Sequence, residues 1–193
     1  KERAETGRIY IMNVDHCNTH SSFKDKVYMS NLCQEITLPT KPLDHIDDKE
    51  GEIALCILSA INVGIIKDLD DLEELCDLAV RALEEIIDYQ KYPIKAAEKS
   101  TKARRSLGVG YIGLAHYLAK NKSQYKDPEA WKLVHDLSEA FQYYLLKASN
   151  KLAEERGACD YFNRTKYSDG IMPIDTYKSE VDTIVENKLN YDW

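Results

Sequence analysis

The order of apolar and polar positions divides this chain into a strand-forming first third and a helical remainder. Gly7–Val14 (Gly-Arg-Ile-Tyr-Ile-Met-Asn-Val) is dense in β-formers and reads as a strand. The polar run Asp15–His20 then reads as a turn stabilised by Asp and Asn side chains. Val27–Leu38 is a second strand-like segment, closed by Pro39-Thr40-Lys41-Pro42 because proline cannot donate to a ladder. Beyond an acidic loop, Asp44–Gly51, lies the continuous apolar run Ile53–Leu58, the pattern of a strand buried on both faces.

From there the period becomes helical. Asp68 or Asp70 can cap a helix whose stripe is Leu69, Leu72, Leu75 or Cys76, Ala79, Leu83 and Ile86, ending before Tyr92-Pro93. Cys76 belongs to that stripe and is expected in the core. A short basic helix, Ile94–Arg104, follows. Its cluster Lys95, Lys99, Lys102, Arg104 and Arg105 is read as a solvated face rather than a phosphate contact. Leu114–Lys120 is a short helix. Pro128 to about Arg156 is the clearest one, with Asp127 as N-cap, Pro128 at the first position and Gly157 as the stop. Its expected buried stripe is Trp131, Val134, Leu137, Phe141, Leu145, Ala148 and Leu152, with Tyr143 and Tyr144 as packing residues at its edge. A last helix is expected over Asp175–Asn187.

Gly108, Gly110 and Gly113 match G-x-G-x-x-G, but the dinucleotide fingerprint needs a strand before it and an acidic residue about 20 positions on. A basic helix precedes this motif and no second β-run follows, so the glycines are read as permitting a tight turn and close helix packing.

Composition narrows the function. The chain has 193 residues, enough for one domain with a core, and 44% of them are hydrophobic. Its net charge of -7 argues against binding a nucleic-acid polymer. The longest apolar stretch, about Ile57–Ile66, is interrupted and too short for a bilayer, so no membrane partner is expected. No basic-then-apolar leader opens the chain. The five cysteines (17, 33, 56, 76, 159) form neither a disulfide framework nor a C-x-x-C site, which points to a reducing, cytoplasmic setting. His16, Cys17 and His20 are spaced too tightly for a zinc pattern, and no metal site is expected. Both ends read like cuts from something longer.

The chemistry concentrates in Ser30-Asn31-Leu32-Cys33-Gln34-Glu35. On a strand, alternate residues share a face, so Asn31, Cys33 and Glu35 would present an amide, a thiol and a carboxylate together. That is a poor packing surface and a plausible reaction surface.

These residues, together with Gly7-Arg8-Ile9-Tyr10-Ile11, Asn13–Ser21, Leu38–Pro42, Gly51–Cys56, Arg104–Gly110 and Met172–Tyr177, closely resemble the large catalytic subunit of class I ribonucleotide reductase of the bacterial and phage type. The resemblance covers the whole chain in order and spacing. It implies an α/β fold: part of a ten-stranded barrel in which a finger loop carries a radical cysteine to the centre. It also implies roles. Cys33 matches the cysteine whose thiyl radical takes the ribose 3′-hydrogen. Glu35 matches the carboxylate that takes the 3′-hydroxyl proton, and Asn31 the amide that hydrogen-bonds the substrate hydroxyls. Cys56 matches one of the two cysteines that reduce the 2′-position and become a disulfide.

By the same resemblance, residues 1–193 would be a partial catalytic barrel domain. The ATP cone, the effector specificity site, the second active-site cysteine, the radical-relay tyrosines and the C-terminal cysteines would lie outside it, leaving Cys56 without its disulfide partner here. No cofactor is expected on this chain, since the radical would come from a metal-containing small subunit and ATP or dNTP effectors would act elsewhere. Expected partners are a ribonucleoside diphosphate, the remainder of the large subunit, the small subunit, and thioredoxin or glutaredoxin as reductant. A different class stands beside this: a non-enzymatic interaction module that binds reductase subunits through exposed apolar edges.

Overall fold

The structure, a computed structural model, describes residues 1–176 and 189–193. Its elements run α1 (Glu2–Thr6), α2 (Val14–His20), β1 (Ile57–Asn62), α3 (Asp71–Tyr89), α4 (Lys95–Arg104), β2 (Leu107–Ile112), α5 (Leu114–Lys120) and α6 (Pro128–Arg156). Two single 3₁₀ turns, Phe162–Arg164 and Lys166–Asp169, follow. The chain divides into two compact units. One comprises Lys1–Leu55, Tyr92–Arg104 and the described part of Asp160–Glu186; the other comprises Cys56–Lys91, Arg105–Cys159 and Asn187–Trp193, again as far as described.

The second unit holds the apolar core. β1 and β2 pair in parallel, with Ile57 opposite Leu107 and Asn62 opposite Ile112. A parallel pair needs a crossover, and the chain between the strands includes α3, which packs on both. The acidic first turn of α3 (Asp71, Glu73, Glu74) suits a helix N-terminus. Leu72, Cys76, Val80, Leu83 and Ile87 form its buried stripe. α6 begins at Pro128 and stops at Gly157, whose N–H still bonds the Ala153 carbonyl and whose φ of +88° then turns the chain out of the helix.

α3 and α6 run side by side in the same direction. The Tyr144 hydroxyl donates to Asp70, Lys147 pairs with Glu73, and Arg81 grips Glu155 with two hydrogen bonds of 2.7 and 2.8 Å. Each partner lies 74 residues further on, so the contacts climb both helices together. Between them Leu72, Cys76, Leu137, Ala140 and Phe141 close a cluster that also takes Ile61, Val63 and Ile66 from β1 and the turn after it. Each fully buried aliphatic side chain there contributes roughly 1.5–3 kcal/mol.

Burial pushes the Cys76 thiol up to about 12. We therefore expect Cys76 to resist alkylation by iodoacetamide at pH 8 while exposed Cys33 reacts, as read by mass-spectrometric mapping of labelled cysteines. Labelling of both at equal rates would contradict this packing.

The first unit is held differently. Among the described residues its buried apolar side chains are mostly small: Val27, Ala96, Ala97 and Ala103, together with Pro39. At its centre Arg104, with a side chain only 3% exposed, pairs with Glu52 at 2.6 Å and Asp25 at 2.9 Å. Arg164 reaches the same two carboxylates, and Arg104 and Arg164 both face the Tyr161 ring.

Several expectations from the sequence are corrected. Residues 7–13 pair with nothing as a strand, and Tyr10 and Ile11 are exposed. The turn expected over Asp15–His20 is helical, α2, with Asn18 and Thr19 bonding back to the Val14 and Asp15 carbonyls. The strand expected at Ile53–Leu58 begins only at Ile57 and alternates half-buried with exposed positions. Its first residues are taken elsewhere, since Glu52 and Lys41 exchange backbone hydrogen bonds and the Ile53 N–H donates to Ala96. Gly108 and Gly110 lie within β2 rather than in a turn; only Gly113, with φ +84°, turns the chain into α5. The basic cluster is not uniformly solvated: Arg104 is buried, and Arg105 is bound to Glu84 and Asp88. Trp131, placed on the buried stripe of α6, is 66% exposed, and Ile86 of α3 is exposed too. Tyr144 is buried, while Tyr143 stacks on Tyr191. The helix expected over Asp175–Asn187 lies, after its first two residues, outside the described residues.

Candidate active site

Residues 27–38 are not a strand, and this changes how the site is built. The segment is pinned at its start by Asn18, whose side-chain amide exchanges hydrogen bonds of 2.8 Å with both the N–H and the carbonyl of Val27. An asparagine thus supplies the pairing a neighbouring strand would give, and Val27 is fully buried. From this anchor the chain runs out to the exposed positions Tyr28 and Met29 and folds back on itself at 30–36.

Side chains of the motif close that loop. The Ser30 hydroxyl donates to the Ile36 carbonyl at 2.6 Å, and the Ile36 N–H donates to Asn31 Oδ1 at 3.1 Å. The Gln34 N–H donates to the Asn31 carbonyl, which makes Asn31–Gln34 a β-turn with Leu32 and Cys33 at its tip. Gln34 sits at φ +63°, a left-handed conformation unusual for a side chain of its size. Ser and Asn compete with strand ladders through such local bonds, which is why β-rich residues here do not form a strand.

Asn31 Oδ1 is committed to a backbone donor, so its Nδ2 must be the atom that faces Glu35. It donates to Glu35 Oε1 at 2.5 Å. Among the described residues, the second Nδ2 hydrogen and Glu35 Oε2 have no protein partner. Asn31, Cys33 and Glu35 are all exposed. The amide and carboxylate thus meet across the turn that carries the thiol. The expected common strand face is replaced by a loop whose ends are fastened by the amide itself.

Cys56 belongs to the other compact unit. It is half-buried just before β1, with Sγ 3.9 Å from the Ile57 carbonyl. The sequence reading missed two supports. Asn18 holds the loop's base. Gly108 of β2 lies directly against Cys56: a Cβ built there would stand 3.0 Å from Cys56 Sγ. A glycine inside a strand is the signal that could have found the second.

Parallel strands flanked by parallel helices, and a separate loop presenting a thiol at its tip, define an α/β protein with a cysteine-bearing loop. This chain belongs to the ribonucleotide reductase barrel-domain family: the family model described as "Ribonucleotide reductase, barrel domain" matches residues 1–193. It is 61% identical to ribonucleoside-diphosphate reductase subunit alpha of Haemophilus influenzae and 60% identical to ribonucleoside-diphosphate reductase 1 subunit alpha of Escherichia coli. It is 42% identical to the corresponding subunit of Enterobacteria phage T4. All of this chain is matched in each case, against 26%, 26% and 25% of those proteins, so it spans about a quarter of their length. Among the described residues no helix is long and apolar enough to cross a membrane, and no group of three metal-ligating side chains is gathered.

Proposed function

We propose that residues 1–193 form the active-site part of the barrel of a ribonucleoside-diphosphate reductase, one that acts together with the remainder of such a subunit. The observation that carries this reading is the Asn31–Glu35 hydrogen bond across the Cys33 turn, within a chain that the family matches end to end.

In this reading Cys33, as a thiyl radical delivered from a metal-containing small subunit, takes the hydrogen atom from the ribose 3′-carbon. The open Nδ2 hydrogen of Asn31 and the open Glu35 Oε2 suit two neighbouring hydroxyls, one as acceptor and one as donor. Glu35 accepts the 3′-hydroxyl proton, with Asn31 orienting the carboxylate. Cys56 and a second thiol outside these residues then supply the reducing equivalents. The 2′-hydroxyl leaves as water, a hydrogen replaces it, and the two thiols end as a disulfide that thioredoxin or glutaredoxin reduces. Glu35 gives the proton back to the 3′-oxygen and Cys33 returns the hydrogen atom to the 3′-carbon, which restores the thiyl radical. The ten-stranded barrel belongs to the same proposal, with β1 and β2 as two of its strands.

The test is a chimera in which residues 1–193 replace the matched segment of the Escherichia coli subunit, assayed with the small subunit and a thiol reductant. Reduction of a nucleoside diphosphate supports the reading. A chimera that binds the small subunit yet turns over nothing overturns it and favours the interaction module, for which the exposed Tyr10, Ile11, Tyr28 and Met29 offer apolar surface.

Within this chimera Asn31→Ala should lower kcat about a hundredfold, because the carboxylate loses its anchor and the substrate a donor. The thermal midpoint should fall only slightly, since the hydrogen bonds lost close an exposed surface loop rather than a buried one. A loss confined to KM would contradict the orienting role.

A further inference from the structure

We propose that Gly108 is a positioning residue for Cys56: the absence of a side chain at this point of β2 gives the Cys56 thiol its seat. This inference rests on the reductase reading, in which Cys56 is one of the two thiols that together lose two hydrogens, form a disulfide, and leave the ribose with a 2′-hydrogen and a released water.

The argument is steric. A Cβ at Gly108 would overlap Leu58 Cδ2 and stand 3.0 Å from Cys56 Sγ. The two neighbours differ in their freedom to yield. Leu58 is 60% exposed and can swing its methyl into solvent. Cys56 is half-buried, has a single rotatable side-chain bond, and sits where β1 begins with the Ile57 N–H bonded to Ser106. The added methyl is therefore relieved at little cost on one side and displaces the sulfur on the other. Displacements well under 1 Å at a reacting atom lower rates steeply, since 1 Å can cost about a hundredfold.

The same strand supplies the control. Gly110 is two residues along β2, with ordinary backbone, and a Cβ there meets nothing within 4 Å. Gly108→Ala and Gly110→Ala thus make the same change to the unfolded chain and differ in what the methyl touches.

The chimera carrying each substitution is assayed for kcat and KM. Cysteine alkylation by iodoacetamide is mapped by mass spectrometry as the ratio of Cys56 to Cys33. Gly108→Ala is expected to lower kcat about tenfold with KM within about twofold, and to change the Cys56 ratio about threefold or more. Gly110→Ala should leave both readouts as they were. Adding Leu58→Ala to Gly108→Ala should restore neither. If Gly108→Ala lowers the melting temperature, adding Cys56→Ala has to restore it. The proposal is overturned if Gly108→Ala and Gly110→Ala behave alike, or if Leu58→Ala restores the alkylation ratio, the turnover or the melting temperature. Should the unsubstituted chimera be inactive, the reductase reading fails, and the alkylation ratio still decides whether Gly108 seats the thiol.

Discussion

Cys33→Ser in the chimera is expected to abolish nucleoside diphosphate reduction while leaving the protein folded. The two halves of that expectation have separate causes. Cys33 lies exposed at the tip of the Asn31–Gln34 turn, and the bonds that close the loop come from Ser30, Asn31, Gln34 and Ile36. Replacing sulfur by oxygen therefore removes no packing and no hydrogen bond that shapes the segment, and the thermal midpoint should stay within the small range typical of surface changes. The chemistry does not survive the exchange. An O–H bond is far stronger than an S–H bond, so a serine cannot be the hydrogen-atom carrier that the proposed mechanism needs. Turnover at background level with an unchanged melting curve is the predicted pair of results. Measurable activity in the serine variant would remove Cys33 from the mechanism, and with it the reductase reading. A large loss of stability would instead mean that the loop is not closed as described.

The second large effect falls on stability. Arg104→Met is expected to destabilise the first unit by about 3 kcal/mol or more, measured as a shift in the denaturant midpoint. Arg104 and Glu52 are almost fully enclosed, and removing the guanidinium leaves a carboxylate in a site built for an ion pair. Arg164 also touches Glu52, at 3.4 Å, and limits the loss. The same geometry sets the dependence on pH. Burial alone would push the Glu52 carboxyl up; the Arg104 and Arg164 guanidiniums outweigh it and hold it below the usual carboxylate range. A carboxyl lowered in the folded state contributes stability that is complete above its unfolded value and is lost as pH falls through its folded value. The wild-type chain should therefore lose stability on acidification below the ordinary carboxylate range. A Glu52→Gln variant should lose less over that interval. Identical acid profiles for the two would show that this pair does not govern the acid limit.

The helical half of the fold was legible in the sequence because its information is local. The start of α3 just after Asp68 and Asp70, the span of α6 from Pro128 to Gly157 and the burial of Cys76 follow from proline, glycine and a period of 3.6 read within one element. Of the expected caps, Asp68 accepts the Asp70 and Asp71 N–H groups, while neither Asp70 nor Asp127 makes a side-chain capping bond. The residues of the candidate site were legible for a different reason: Ser30–Glu35 concentrates chemistry that packing does not need. Their arrangement was not. Alternation predicted a strand over 27–38, but a strand exists only with a partner, and in its place Ser30 and Asn31 satisfy the backbone locally while Asn18 supplies the pairing at Val27.

The strand expected at Ile53–Leu58 starts late for a related reason, as residues 41 and 96, distant in sequence, claim the backbone of Glu52 and Ile53. The basic run on α4 looked solvated until Glu52 and Asp25 arrived from far along the chain to bury Arg104. Gly108 read as a turn and packing glycine until β2 placed it against Cys56. The sequence alone marked the candidate residues and the course of the longer helices α3 and α6, because residue type and periodicity are properties of neighbours in the chain. Strand pairing, the burial of Arg104, the closure of the Cys33 loop and the seat of Cys56 were decided by the tertiary structure, because each depends on which distant group supplies the missing hydrogen bond, counter-charge or empty space.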